Sequence, residues 1–228
     1  MDFGPFEEKI GYAFADKRFI EQAFTHRSYL NENRAAGREH NERIEFLGDA
    51  VLELVVTEYL FAKYPEKPEG DLTAYRAALV NTISIADAAT KLGMNDFLLL
   101  SRGESRDIGR ARQIILANAF EALIGAIYLD GGYEPAKKFI GEQLFHKTDD
   151  VVANRLWQDA KSKLQELSQE KTGHTPTYNL VNQTGPDHDK TFTTAVSLGE
   201  ERVALGEGRS KQEAEQDAAQ KALAAKGW

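Results

Sequence analysis

The run from Ile114 to Asp130 constrains this chain more than any other stretch, because it is apolar nearly all the way round a helix. A helix without a polar face belongs inside a protein. Segments near 17–29, 42–64, 71–93 and 111–130 carry apolar residues at three- and four-residue spacing, so residues 1 to about 147 read as helix after helix. Gly48 and Gly125 interrupt otherwise helical runs, and glycines so placed permit close packing. The stretch Tyr64-Pro65-Glu66-Lys67-Pro68-Glu69-Gly70 ends one helix, Asp71 can cap the next, and Gly131-Gly132 closes the helix that ends near Asp130.

Inside the buried helix, Asn118 and Glu121 stand at i and i+3. A buried carboxylate without a partner is costly. Glu121 therefore needs a local hydrogen bond, an ion pair, or a cation shared with other acids. Such acids occur in Asn41-Glu42-Arg43-Ile44-Glu45-Phe46-Leu47-Gly48-Asp49. On a helix, Glu42, Glu45 and Asp49 fall on one narrow stripe, while Ile44, Leu47, Val51, Leu54 and Val55 take the side that can face a core. Glu53 falls on the acidic stripe too, so spacing alone does not select ligands, and a solvated acidic face fits the same pattern. Carboxylate and amide oxygens with no His or Cys beside them suit Mg²⁺, a hard cation. Such a site favours phosphoryl transfer.

The 228 residues suit two domains, and the texture changes after about residue 147. Residues 148–158 read as a linker, although Val151 to Trp157 can dock on something. From Asp159 to the end the order is helix, three strands, helix: Ala160 to Glu170, then Thr177 to Val181, Thr191 to Leu198 and Arg202 to Gly206, then a helix capped by Ser210 with Glu213 at the capping-box position. The expected fold is thus an all-α domain over 1–147 followed by a small α-β-β-β-α domain over 159–228. There are no cysteines, which excludes disulfides, thiolate metal sites and cysteine nucleophiles. The acidic N-terminus lacks the pattern of a signal peptide, and no stretch approaches the roughly 18 consecutive apolar residues of a membrane span. The expectation is a cytoplasmic protein without a membrane partner.

The segment NERIEFLGD, Asn41 to Asp49, resembles the signature of the ribonuclease III family. Phe24-Thr25-His26-Arg27-Ser28-Tyr29, Glu69-Gly70-Asp71-Leu72, Arg76 to Asn81 and Glu121 to Asp130 resemble its other blocks, and the C-terminal module is similar to a double-stranded-RNA-binding domain. The resemblance implies a homodimeric endonuclease that hydrolyses double-stranded RNA with a Mg²⁺-activated water, Mn²⁺ being a substitute. The products it implies carry 5′-phosphates and short 3′ overhangs. It implies metal ligation by Glu45, Asp49, Asn118 and Glu121, with Glu42 and Glu69 in the same catalytic valley and Phe46 inserted into the partner subunit. Asn118 stands where the family usually has aspartate, which removes one negative charge and weakens the expected hold on Mg²⁺. The alternative is a double-stranded-RNA-binding dimer that does not cut.

In the C-terminal module the resemblance implies three RNA contacts. One is the helix face of Ser162, Gln165, Glu166 and Gln169, suited to the RNA minor groove. The second is the turn Gly185-Pro186-Asp187-His188. The third is the start of the last helix, where Arg209, Ser210 and Lys211 would meet phosphates. The whole chain carries a net charge of −8, and the module itself is mildly acidic, so modest, salt-sensitive affinity is expected. Several other residues read as structural. His26 is expected to make a local hydrogen bond. Trp157, Trp228, Tyr128 and Phe120 are expected to pack, and Ser28 and Ser101 lack a nucleophile's partners.

Overall fold

The computed structural model describes residues 2–33, 37–154, 157, 159–186 and 190–228. The chain divides into two compact units, Met1–Trp157 and Gln158–Trp228.

The first unit is helical: α1 (Gly4–Ile10), α2 (Lys17–Ala23), α3 (Arg27–Glu32), α4 (Glu42–Lys63), α5 (Glu69–Val80), α6 (Thr82–Lys91), α7 (Arg110–Gly131), α8 (Tyr133–Leu144) and α9 (Thr148–Ala153). The apolar run is α7. Nearly every side chain from Ile115 to Ile127 is buried, and α7 packs against α2, α4, α6 and α8. By length and composition α7 matches a membrane span, but most of its apolar stretch is enclosed within the unit. Phe6, Phe24, Phe120, Phe139, Leu52 and Leu123 are fully buried around it. Each such side chain contributes roughly 1.5–3 kcal/mol relative to exposure.

The periodic segments are cut where backbone groups find better partners. The run 17–29 breaks at Phe24–His26, where Thr25 forms an isolated bridge with Leu99 and His26 caps α3. The run 71–93 breaks at Asn81, whose backbone is extended at φ −67° and ψ 158° and whose side chain accepts the Ser84 amide at 2.9 Å to cap α6. Pro68, not Asp71, occupies the N-cap of α5, because that helix starts at Glu69. Asp71 lies in its first turn, where a negative charge suits the helix dipole.

Two further expectations change. Leu54 lies on the exposed side of α4, 57% accessible, whereas Ile44, Val51 and Val55 are buried. Residues 148–153 form α9 rather than linker. Val151 is buried, Asp149 pairs with Lys63 at 2.5 Å, and the Trp157 ring meets the edge of Tyr75 at 5.2 Å. Apolar docking therefore carries the first unit to Trp157.

The second unit contains α10 (Ala160–Thr172), β1 (Pro176–Thr184), β2 (Thr191–Leu198), β3 (Glu201–Gly208) and α11 (Lys211–Lys226). The strands form an antiparallel sheet in the order β1-β2-β3. Leu164 of α10 and Ala218, Ala219, Ala222 and Leu223 of α11 share a core with Val196 of β2. Asp159 caps α10. Ser210 caps α11 by accepting the Glu213 amide at 3.1 Å, while the Glu213 carboxylate takes the Arg209 amide at 3.0 Å. The Ser210 bond satisfies an amide that the helix start would leave orphaned, while Glu213 reaches one residue further back than the N-cap amide of a capping box.

An acidic helix crossing as the candidate active site

Helices α4 and α7 touch backbone to backbone. A Cβ at Gly48 would lie 1.8 Å from the Glu121 carbonyl oxygen, and one at Gly125 would lie 2.2 Å from that of Ile44. Only glycine fits at either position, which is the close packing that the two interruptions predicted. The start of α4 is fixed as well. The buried Asn41 donates from Nδ2 to the Ala23 carbonyl at 3.2 Å, and its amide donates to Thr25 O at 2.9 Å.

The crossing turns Glu45 and Asp49 of α4 toward Glu121 of α7, with Asn118 one turn before it. Burial pushes the Glu121 carboxyl up to about 8, and the charges of Asp49 and Glu45 push the same way. Glu45 is also raised, first by burial and then by Glu42 and Asp49. Among the described residues no cation or hydrogen-bond donor meets the Glu45, Asp49 or Glu121 carboxylates. Nor do three or more His, Cys, Asp or Glu groups there close into a finished metal cage. Carboxylate and amide oxygens are the donor type that a hard cation takes.

Glu42 lies at the rim, between Arg27 Nη1 at 3.3 Å and His40 Nδ1 at 3.8 Å. Glu53, on the same stripe, is paired with Arg76 at 2.8 Å. Glu69 is elsewhere. It accepts from Thr73 Oγ1 at 2.9 Å and lines a groove of about 430 Å³ with Thr57, Leu60, Phe61, Leu72 and Arg76. Thr57 is roughly 18 Å along α4 from Glu45 at 1.5 Å per residue. Within one chain, Glu69 therefore stands apart from the acids of the crossing. Beside the acidic stripe, α4 carries a second exposed face: Phe46 is 80% accessible and Phe61 73%.

In the second unit, Ser162, Gln165, Glu166 and Gln169 are exposed along one face of α10, and Arg209, Ser210 and Lys211 are exposed at the start of α11. Ser162 also donates its hydroxyl to Asp159 at 2.6 Å. His188 lies outside the described residues.

The profile of the Ribonuclease-III-like family matches residues 16–148, and that of the double-stranded RNA binding motif matches residues 160–226. The chain belongs to the ribonuclease III family. It is an endoribonuclease with a double-stranded-RNA-binding domain. It is 47% identical to Ribonuclease 3 of Bacillus velezensis over 97% of this chain and 89% of that one. It is likewise 47% identical to Ribonuclease 3 of Enterococcus faecalis, over 95% and 94%. Among solved structures, the nuclease domain of ribonuclease III from Campylobacter jejuni matches at 43% identity with a TM-score of 0.56, covering 62% of this chain and 98% of that one. That domain is described as flexible in a region involved in dimer formation. Similarity to ribonuclease III over nearly the whole length gives the non-cutting alternative no support.

Some residues that shape this ribonuclease III site were not marked by the sequence. Asn41 looks like part of a motif but serves as an anchor. Asp130 accepts from the Tyr12 hydroxyl at 2.7 Å and from the amides of Ala15 and Asp16 at 2.9 Å, tying the end of α7 to the N-terminal segment. His26 makes the local bond expected of it: Nδ1 accepts the Ser28 amide at 3.3 Å. Arg27 had no signal beyond its place in a family block.

Proposed function

We propose that this endoribonuclease hydrolyses phosphodiesters of double-stranded RNA at the α4–α7 crossing. Glu45, Asp49, Asn118 and Glu121 would hold Mg²⁺, or Mn²⁺ in its place. The observation that carries the reading is the half-buried carboxyl of Glu121 at the glycine crossing, pushed up to about 8 by burial and by two facing acids, with no compensating group among the described residues. A cation relieves both causes at once. When bound there, Mg²⁺ supplies a more acidic water and neutralises charge on the phosphoryl and leaving oxygens. The chain's own part is placement: the glycine crossing fixes the distance between the two acidic helix faces. Asn118 offers an oxygen without a charge, and Glu42 holds the rim.

The products on this reading are 5′-phosphorylated duplex fragments with short 3′ overhangs, made in RNA processing and decay. The cysteine-free chain suits the reducing cytoplasm as its workplace. The second unit grips the duplex through Ser162, Gln165, Glu166 and Gln169 in the minor groove and Arg209, Ser210 and Lys211 on phosphates, with His188 as a further contact. Two copies act together. Phe46, exposed beside the acidic stripe, would enter the groove that Leu60, Phe61 and Leu72 line on a second copy. In a two-fold contact of that kind, the partner's Glu69 comes to the edge of the acidic stripe, which reconciles its distance within one chain with a place in the valley.

Cleavage of a long labelled RNA duplex tests this, with and without Mg²⁺, for the parent and for Asn118→Asp. The expected result is Mg²⁺-dependent shortening by the parent and a several-fold lower half-saturating Mg²⁺ for Asn118→Asp, about one extra charge contact. Cutting that persists after exhaustive chelation, or no cutting by either protein, contradicts the reading.

A further inference from the structure

The acids of the crossing must accept a polyanion. The carboxylates of the acidic stripe repel a phosphate, so a cation set against one of them bears on how the RNA strand is held. Arg27 is such a cation, with Nη1 3.3 Å from Glu42 Oε1. Its backbone is pinned on both sides. The His26 amide donates to Leu99 O at 3.1 Å, and the Ser28 hydroxyl accepts the Ser101 amide at 3.1 Å. The base of the side chain is therefore fixed at the rim.

Local stability does not account for a cation there. Arg27 is the first residue of α3, the end of a helix that disfavours positive charge, and exposed ion pairs add little to stability. Arg76 of α5, paired with another acid of this stripe, makes the contrast. Arg76 is committed, lying 2.8 Å from Glu53 and donating to Thr57 Oγ1 at 2.9 Å, with its side chain 32% accessible. The Arg27 side chain is 68% accessible and its ion pair with Glu42 is longer. It can exchange that pair for a phosphate, whose oxygens match the guanidinium fork. His40 stays behind. Its buried Nδ1 has no hydrogen-bond partner and lies 3.8 Å from Glu42 Oε2, so Glu42 keeps a neighbour when Arg27 leaves.

We propose that Arg27 contacts an RNA backbone phosphate at the rim of the acidic crossing and positions the strand for cleavage. The proposal rests on the crossing being the site of cutting. The test is single-turnover cleavage of a labelled RNA duplex at saturating full-length enzyme, together with Mg²⁺-free binding of the same duplex over a salt series. Arg27→Ala is expected to slow cleavage about tenfold or more and to reduce the slope of log affinity against log salt by about one, with the thermal midpoint unchanged. Arg27→Lys keeps the slope and recovers part of the rate, since it restores charge but not the fork. Lys138→Ala, which removes an exposed cation from α8, changes neither. Arg27→Ala that cuts at the parental rate overturns the proposal. Slower cutting with an unchanged salt slope also overturns it, assigning Arg27 to steadying Glu42 alone. A parent that binds duplex but does not cut overturns the reading of the crossing and the proposal together, and is told apart because the parent itself then has no rate to lose.

Discussion

At Glu121, burial and two neighbouring carboxylates act in the same direction, holding the proton on up to about pH 8 against an ordinary value of 4.5. The consequence for stability has a definite sign. Between those values the folded chain keeps a proton that the unfolded chain gives up. Stability from this group is therefore complete below about pH 4.5 and is lost as pH rises through about 8. In metal-free buffer, Glu121→Gln should be less sensitive to pH across that window and more stable than the parent above it. Urea denaturation at several pH values checks this, and a variant less stable than the parent at pH 9 contradicts it. The acidic stripe of Glu42, Glu45 and Asp49 was legible because helical spacing is a property of sequence. That Glu53 is bound to Arg76, that Leu54 is exposed and that Glu69 lies along α4 from the rest was not, because each depends on which other element lies opposite.

Helix α7 shows how far an element can be read from its own composition. A run that is apolar on every side was bound to be central, and the two glycines flagged the contact with α4 without naming each other. Gly48→Ala provides the test. An alanine in an exposed helix gains about 1 kcal/mol over glycine. Here the added Cβ would meet the Glu121 carbonyl at 1.8 Å, a backbone atom that no rotamer change can remove. The net effect should be a loss of roughly 1–3 kcal/mol or more, with cleavage falling further because the acids move apart. Unchanged stability in a denaturation curve would mean that the helices do not touch there. The helix breaks at Phe24–His26 and Asn81 escaped periodicity, since apolar spacing runs through both. They are set by a bridge to Leu99 and by a side-chain cap. For the same reason 148–153 read as polar linker, although Val151 and Trp157 fasten that stretch to the first unit.

For the whole molecule, the helical unit and the α-β-β-β-α unit were both visible in the change of texture along the chain, and the three strands matched their expected places closely. The proposed assembly turns on one exposed aromatic beside the acids, Phe46, whose role in the sequence came from the family resemblance alone. Replacing it, as Phe46→Glu, should convert a dimer of twice 25.4 kDa into a monomer by sedimentation, with cleavage of both strands lost; a variant that remains dimeric puts the contact elsewhere. The most direct test of the central claim is thermal unfolding of the full chain as Mg²⁺ is added, at pH 6 and pH 8.5, for the parent and for Glu121→Gln. A ligand bound only to the folded state at about 100 times its dissociation constant adds about 2.7 kcal/mol. The site must shed the Glu121 proton to take the ion. The parent midpoint should therefore rise with Mg²⁺, more at pH 8.5 than at pH 6, and Glu121→Gln should lose most of the rise. A midpoint indifferent to Mg²⁺, or one that rises equally in Glu121→Gln, would mean that the crossing is not the metal site.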